Sequence, residues 1–220
     1  DNNTTDIINN PEMLNSYKGL VACGGFSYGD VLGAGRGWAN KIIHNENAYN
    51  ALSLFFNSKD KFTLGVCNGC QMLSNLKEII PGSSHWPSFT HNNSNQFEAR
   101  QVLVKIPKSN SILFKGMHES IIPIIVSHGE GKVTVSKSND LKKITMAYVD
   151  NSGNKTTSYP NNPNGSVSGA TGFCNNDGRI NIMMPHPERL MHINNFSWAP
   201  PKWKTSPWVK IFNNAREWVD

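Results

Sequence analysis

Cys67 is the residue of this 220-residue chain whose surroundings most clearly suit it to be a nucleophile. Residues 62–76 read FTLGVCNGCQMLSNL. A β-favouring run (Phe62, Thr63, Leu64, Val66) meets Gly65 and Gly69 on either side of the cysteine, and an amphipathic series (Gln71, Met72, Leu73, Leu76) follows. The order predicts a strand, a sharp turn with Cys67 at its tip and a helix, the nucleophile-elbow pattern, in which small flanking residues let a strained turn form. The N-terminus of that helix would put unpaired N–H groups and a positive dipole end beside the sulfur, favouring the reactive thiolate.

A cysteine nucleophile needs a base, and the base needs an orienting group. His186 follows an apolar strand-like run (Ile180, Ile182, Met183, Met184) and sits in Pro185-His186-Pro187-Glu188. Pro187 disfavours the helical region for His186 and so holds it extended. Extended residues two apart project to the same side, which lets Glu188 accept the Nδ1 proton and leaves Nε2 for the thiol. Both segments lie just past predicted strand ends, where the sites of open α/β sheets gather.

Competing readings of these residues are weaker. A cysteine is more often a small buried hydrophobe than a nucleophile, but the elbow context favours chemistry. Cys67 and Cys70 have the spacing of a redox pair without thioredoxin-type surroundings. His85 and His91 lie six apart in a loop with no Cys partner, a poor zinc set, so no metal site is expected. His128, in Ser127-His128-Gly129-Glu130-Gly131, is an alternative base; the tighter reading is that this loop offers backbone groups to a polar substrate. His44, His85, His91, His118 and His192 read as surface or loop residues, and Arg36 and Arg100 as salt-bridged surface groups as easily as substrate contacts.

The elements that must position these residues follow from periodicity. Residues 20–23 form a short apolar strand ending at Gly24-Gly25, and residues 26–39 are dense in glycine, implying close backbone approach. A G-x-G at Gly33 to Gly35 is a poor dinucleotide fingerprint, because the third glycine is misplaced and no acidic residue ends a second strand. Residues 38–56 fit one helix or a broken pair, and the elbow comes next. Strand, helix, strand, helix argues for an α/β fold with a mainly parallel central sheet flanked by helices, plus a small antiparallel strand region. Residues 97–106, 121–135 and 144–149 add strands, 151–165 are turn chemistry, and 169–184 make a last strand pair around the turn at 175–178. Residues 206–219 predict a helix with Ser206 as N-cap and Pro207 at its first position.

Composition bounds the rest. With 17% charged and 38% hydrophobic residues, the chain is globular and has no apolar run of bilayer length. A net charge of +5 comes from scattered basic residues, which argues against nucleic acid as a partner. Four cysteines without a signal peptide suggest a reduced, cytoplasmic setting. Residues 1–18 are polar and Asn-rich, and read as a loop or the remnant of an insertion, with a domain at 19–220. A start at Asp1, without methionine, suggests a piece of a longer polypeptide.

GVCNGCQ with a later PHPE resembles the class I, triad-type glutamine amidotransferases, of flavodoxin-like fold. ACGGFSYGDVLGAG, LGVCNGCQMLSNL, SHGEG, NPNGS, MMPHPER and SPW-x-x-IF-x-NAR, in that order, are more narrowly similar to the C-terminal glutaminase domains of the large, single-chain phosphoribosylformylglycinamidine synthases, from about Leu20 onward. The resemblance implies Cys67 as nucleophile, His186 as base and then acid, and Glu188 as its orienting partner. It also implies an oxyanion hole from the backbone N–H groups of Gly25 and Asn68. Gln71 and the backbone of Ser127, His128, Gly129 and Glu130 would hold the substrate, L-glutamine. Hydrolysis through a glutamyl thioester would release ammonia to a synthase domain of the same polypeptide. That domain lies outside these residues, and the ATP and Mg2+ it uses would bind there; the glutaminase part needs no cofactor. A cysteine peptidase or amidase of the same fold, and a non-catalytic docking module, are the rival readings.

Overall fold

The computed structural model describes residues 2–25, 33, 35–135 and 141–220. Much of the glycine-dense stretch, 26–32 and 34, lies outside the described residues. The described strands are β1 (Gly19–Ala22), β2 (Phe62–Val66), β3 (Ser88–Thr90), β4 (Glu98–Lys105), β5 (Ile121–His128), β6 (Lys132–Thr134), β7 (Ile144–Val149), β8 (Ala170–Cys174) and β9 (Ile180–Met183). The helices are α1 (Thr4–Asn9), α2 (Arg36–Ile43), α3 (Glu46–Asn57), α4 (Asn68–Asn75) and α5 (Val209–Val219). Seven strands form one sheet in the order β1-β2-β9-β8-β7-β4-β5, and β3 pairs with β6 in a small antiparallel sheet.

β1, β2 and β9 run parallel, with Ala22 opposite Gly65 and Val66 opposite Met183. Because the three strands point the same way in near register, the chain leaves them at one edge of the sheet. Gly24, Cys67 and His186 all follow within three residues of those ends. β2 is buried at all but its first residue, as expected of a parallel strand covered on both faces.

The sheet is α/β as the sequence predicts, but its antiparallel share is larger: β9-β8, β8-β7, β7-β4 and β4-β5 all pair antiparallel. The cause is the connections. Parallel neighbours need a long crossover, usually a helix, and among the described residues no α-helix lies between β4 and β9. β8 and β9 are joined by the expected turn at 175–178, closed by Gly178 N–H to the Asn175 carbonyl at 3.1 Å. β5 alternates, with Ile122, Ile124, Val126 and His128 buried and the residues between them less so. Ser127 and His128 therefore face opposite sides of the sheet.

α4 packs across β2, β9 and β1, and it can do so because the strand and helix meet at glycines. A Cβ on Gly69 would run into the carbonyl oxygen of Ala22, and one on Gly65 would sit 2.6 Å from Leu73 Cδ1. The helical stretch at 36–57 is a broken pair, restarted where the Asn45 side chain accepts from Ala48 N–H at 3.0 Å. α5 begins at Val209, after a turn in which Ser206 Oγ accepts from Trp208 N–H at 3.2 Å, so the proline lies ahead of the helix rather than at its first position.

The N-terminal stretch departs from the loop expected of it. Asn3 and Asp6 form a reciprocal capping box that starts α1, and a 3-10 turn follows at Pro11–Ser16. Leu14 is buried and Ile7, Ile8 and Met13 pack against the core. The buried Lys61 ammonium then takes the carbonyls of Leu14 (3.0 Å), Asn15 (3.1 Å) and Tyr17. A few apolar residues spaced among asparagines suffice to anchor a segment whose composition alone reads as loop.

Candidate active site

Cys67 stands between β2 and α4 with φ 52° and ψ −111°. Positive φ in a non-glycine residue is uncommon and costs of order 1–3 kcal/mol, so the surroundings must impose it. They do so at each side: Cys67 N–H donates to the Met183 carbonyl at 2.9 Å, Gln71 N–H to the Cys67 carbonyl at 3.0 Å, and Gly69 N–H to the Cys23 carbonyl at 3.2 Å. The turn is thus tied to all three parallel strand ends. Its thiol points toward the end of β5, 3.8 Å from the Ser127 carbonyl oxygen.

His186 arrives from β9 and is docked on β5 by its own N–H, which donates to the Ile125 carbonyl at 2.8 Å. Its Nδ1 lies 2.6 Å from Glu188 Oε1. The pair closes by a different route from the extended one expected, because Pro187–Leu190 forms a 3-10 turn and Glu188 reaches back from within it. The imidazole is buried, its Nε2 has no hydrogen-bond partner among the described residues, and Glu188 is half exposed. Burial pulls the His186 pKa down, but the neighbouring Cys67 sulfur, as thiolate, and the Glu188 carboxylate outweigh it and raise it to about 9. A Cβ on Gly24 would come 2.7 Å from His186 Cε1 and 3.0 Å from Cys67 Cβ; the thiol-bearing turn and the imidazole both lean on this one residue. Sequence reading assigned Gly24 no role, though its place at a strand end beside Gly25 was the available signal.

Gly25, at φ 133°, and Asn68, the first residue of α4, flank the elbow. Cys70 is buried on α4, and burial pushes its thiol well above the usual range. That is the behaviour of a packing residue. Gln71 is buried with its side-chain N–H donating to the Glu130 carbonyl, so it braces the 127–131 loop against α4. The Glu130 carboxylate accepts from Gly33 N–H at 2.9 Å and lies 3.4 Å from His91. Ser127 Oγ accepts from Arg189 at 3.1 Å.

His128 does not behave as a base. It is fully within the core, burial and the charge of His186 lower its pKa to about 3, and its Nε2 lies 3.1 Å from the Asn164 side-chain nitrogen. An amide N–H can only donate, so the imidazole is neutral and accepts at Nε2. Among the described residues, then, the structure brings together a strained cysteine, a raised histidine and a carboxylate, with a polar loop passing over the sulfur. That arrangement suits acyl transfer from an amide.

A family model of CobB/CobQ-like glutamine amidotransferase domains matches residues 1–219. The chain belongs to this family. Among solved structures, PurLQS from Thermotoga maritima superposes with a TM-score of 0.69 at 22% identity, over 94% of this chain and 82% of that one. The glutaminase domain of Trypanosoma brucei CTPS, with bound acivicin, gives a TM-score of 0.58 at 16% identity, over 99% and 80% of the two chains. A putative GMP synthase protein from Thermoplasma acidophilum gives 0.52 at 14% identity, over 96% and 76%. At these identities the likeness is one of fold. The family match begins at residue 1, and so takes in the N-terminal stretch outside the motif resemblance.

Proposed function

We propose that this glutamine amidotransferase domain hydrolyses L-glutamine through a thioester at Cys67 and passes the ammonia to a synthase that converts formylglycinamide ribonucleotide into the formylglycinamidine. The observation that carries the chemistry is the elbow: Cys67 at positive φ, beside a His186 whose Nδ1 is held by Glu188 at 2.6 Å. The Cys67 sulfur attacks the side-chain carbonyl carbon of glutamine, with its proton on His186. The oxygen's developing negative charge is met by the N–H groups of Gly25 and Asn68, where an elbow places its oxyanion hole. His186 gives the proton to the departing nitrogen, the C–N bond breaks and ammonia leaves. Water, deprotonated by the same histidine, then attacks the thioester and releases glutamate.

The ordered motifs from 22–35 to 206–216 and the likeness to PurLQS support the purine assignment. ATP, Mg2+ and the ribonucleotide would bind the synthase partner. The test is ammonia release from glutamine by the protein, alone and with a synthase, against a panel of peptide amides. Glutamine turnover that rises with the synthase and its ribonucleotide substrate supports the reading. Cleavage of peptide amides in preference to glutamine would assign a peptidase or amidase instead.

A further inference from the structure

Residues 162–166, NPNGS, have the composition of a turn, yet Asn162, Asn164 and Ser166 are all buried. Buried amides must find partners, and the partners show what the segment does. Asn162 closes the turn on itself, accepting from the N–H groups of Gly165 (3.0 Å) and Ser166 (3.1 Å). Asn164 looks outward: its NH2 donates to the Gly131 carbonyl at 2.8 Å and to His128 Nε2 at 3.1 Å. Ser166 Oγ donates to Asn164 Oδ1 at 2.7 Å, which fixes the amide's orientation. A second asparagine works from the other side. Asn92 donates from its side chain to the His128 carbonyl at 2.8 Å, accepts from Gly131 N–H at 3.1 Å, and donates its own N–H to the Gly129 carbonyl at 2.9 Å.

The passage from the end of β5 into β6, the 128–131 loop, thus has its backbone fixed by two buried asparagines. This loop directly follows Ser127 of β5, whose carbonyl lies 3.8 Å from the Cys67 sulfur, and its Glu130 carbonyl and carboxylate are tied to Gln71 and Gly33. We propose that Asn164 and Asn92 are positioning residues for the amidotransferase reaction, holding the 128–131 loop where its backbone meets the amino-acid end of the substrate. This rests on the glutaminase reading. A merely structural network would affect stability and thiol chemistry together. A positioning network affects recognition and spares the thiol, because neither asparagine touches Cys67 or His186.

The experiment measures two reactions of Cys67 in wild type, Asn164→Ala and Asn92→Ala. One is alkylation by iodoacetamide, which needs only the thiol and His186. The other is saturable inactivation by a chloroketone analogue of glutamine. Each variant loses two or more hydrogen bonds to the loop, so the chloroketone's half-saturation concentration should rise by about 10-fold or more while the iodoacetamide rate stays within about 2-fold of wild type. Should Asn164→Ala fail to fold, Ser166→Ala removes the hydroxyl that orients Asn164 and accepts from Val133 N–H at 2.9 Å, leaves both Asn164 bonds to the loop in place, and should give a smaller rise with the same split. Unchanged half-saturation, or a parallel fall in both reactions, overturns the positioning role alone. A wild-type Cys67 that reacts no faster with the amino-acid chloroketone than with chloroacetone overturns the glutaminase reading, and this inference with it.

Discussion

Gly24→Ala should disable the site while leaving the fold standing. The backbone of Gly24 is not among the positive-φ positions, so alanine meets no left-handed strain there and the added methyl acts chiefly through space. Its Cβ would lie 2.7 Å from His186 Cε1 and 3.0 Å from Cys67 Cβ, against an ordinary carbon–carbon contact of about 3.5–4.0 Å. Relieving both contacts requires the imidazole or the elbow to move by about 1 Å. His186 is held at Nδ1 by Glu188 and through its N–H by Ile125, so the shift opens the gap to the sulfur. A misplacement of about 1 Å costs about 100-fold in rate, and overpacking costs about 1–3 kcal/mol in stability. The assay is glutamine-dependent ammonia release together with urea unfolding. A Gly24→Ala protein with wild-type turnover would show that the thiol and imidazole do not depend on this contact, and would refute the geometry.

Other perturbations test separate parts of the structure. His186→Asn should keep the fold and slow thioester formation by about 100-fold or more, read by stopped-flow acylation. Because the folded His186 pKa is raised from 6.5 to about 9, its stabilisation is present in full below pH 6.5 and is lost as the pH rises through 9. The stability advantage of wild type over His186→Asn, from urea melts at pH 6 and pH 9.5, should therefore shrink as the pH rises. Asn3→Ala removes one half of the capping box on α1 and should cost about 1 kcal/mol without changing turnover. Gly69→Ala would drive a methyl into the Ala22 carbonyl, a backbone atom of the adjoining strand end, and should lower the thermal midpoint more than Gly24→Ala does.

The elbow was legible in the sequence because its signals are local: a β run, glycines two residues either side of Cys67, and a helical repeat. So was the His186–Glu188 pair, although the 3-10 turn that joins them was not, since Pro187 serves both an extended approach and the start of a helical turn. What composition hid was non-local. Asn92 and Asn164 sit in stretches that read as loop, and only the fold brings both onto the backbone of 128–131. The antiparallel half of the sheet was obscured for the same reason, because strand direction is set by which strands become neighbours. At the N-terminus the capping box at Asn3 and Asp6 was a readable signal masked by asparagines that resemble low complexity.

The most direct test of the central claim is where a glutamine-mimicking electrophile becomes attached. Incubation with such a reagent, followed by peptide mass spectrometry, should give a single adduct on Cys67 in the wild type and in Cys70→Ala, and none in Cys67→Ala. An adduct that persists in Cys67→Ala, or that maps to Cys70, would contradict the account.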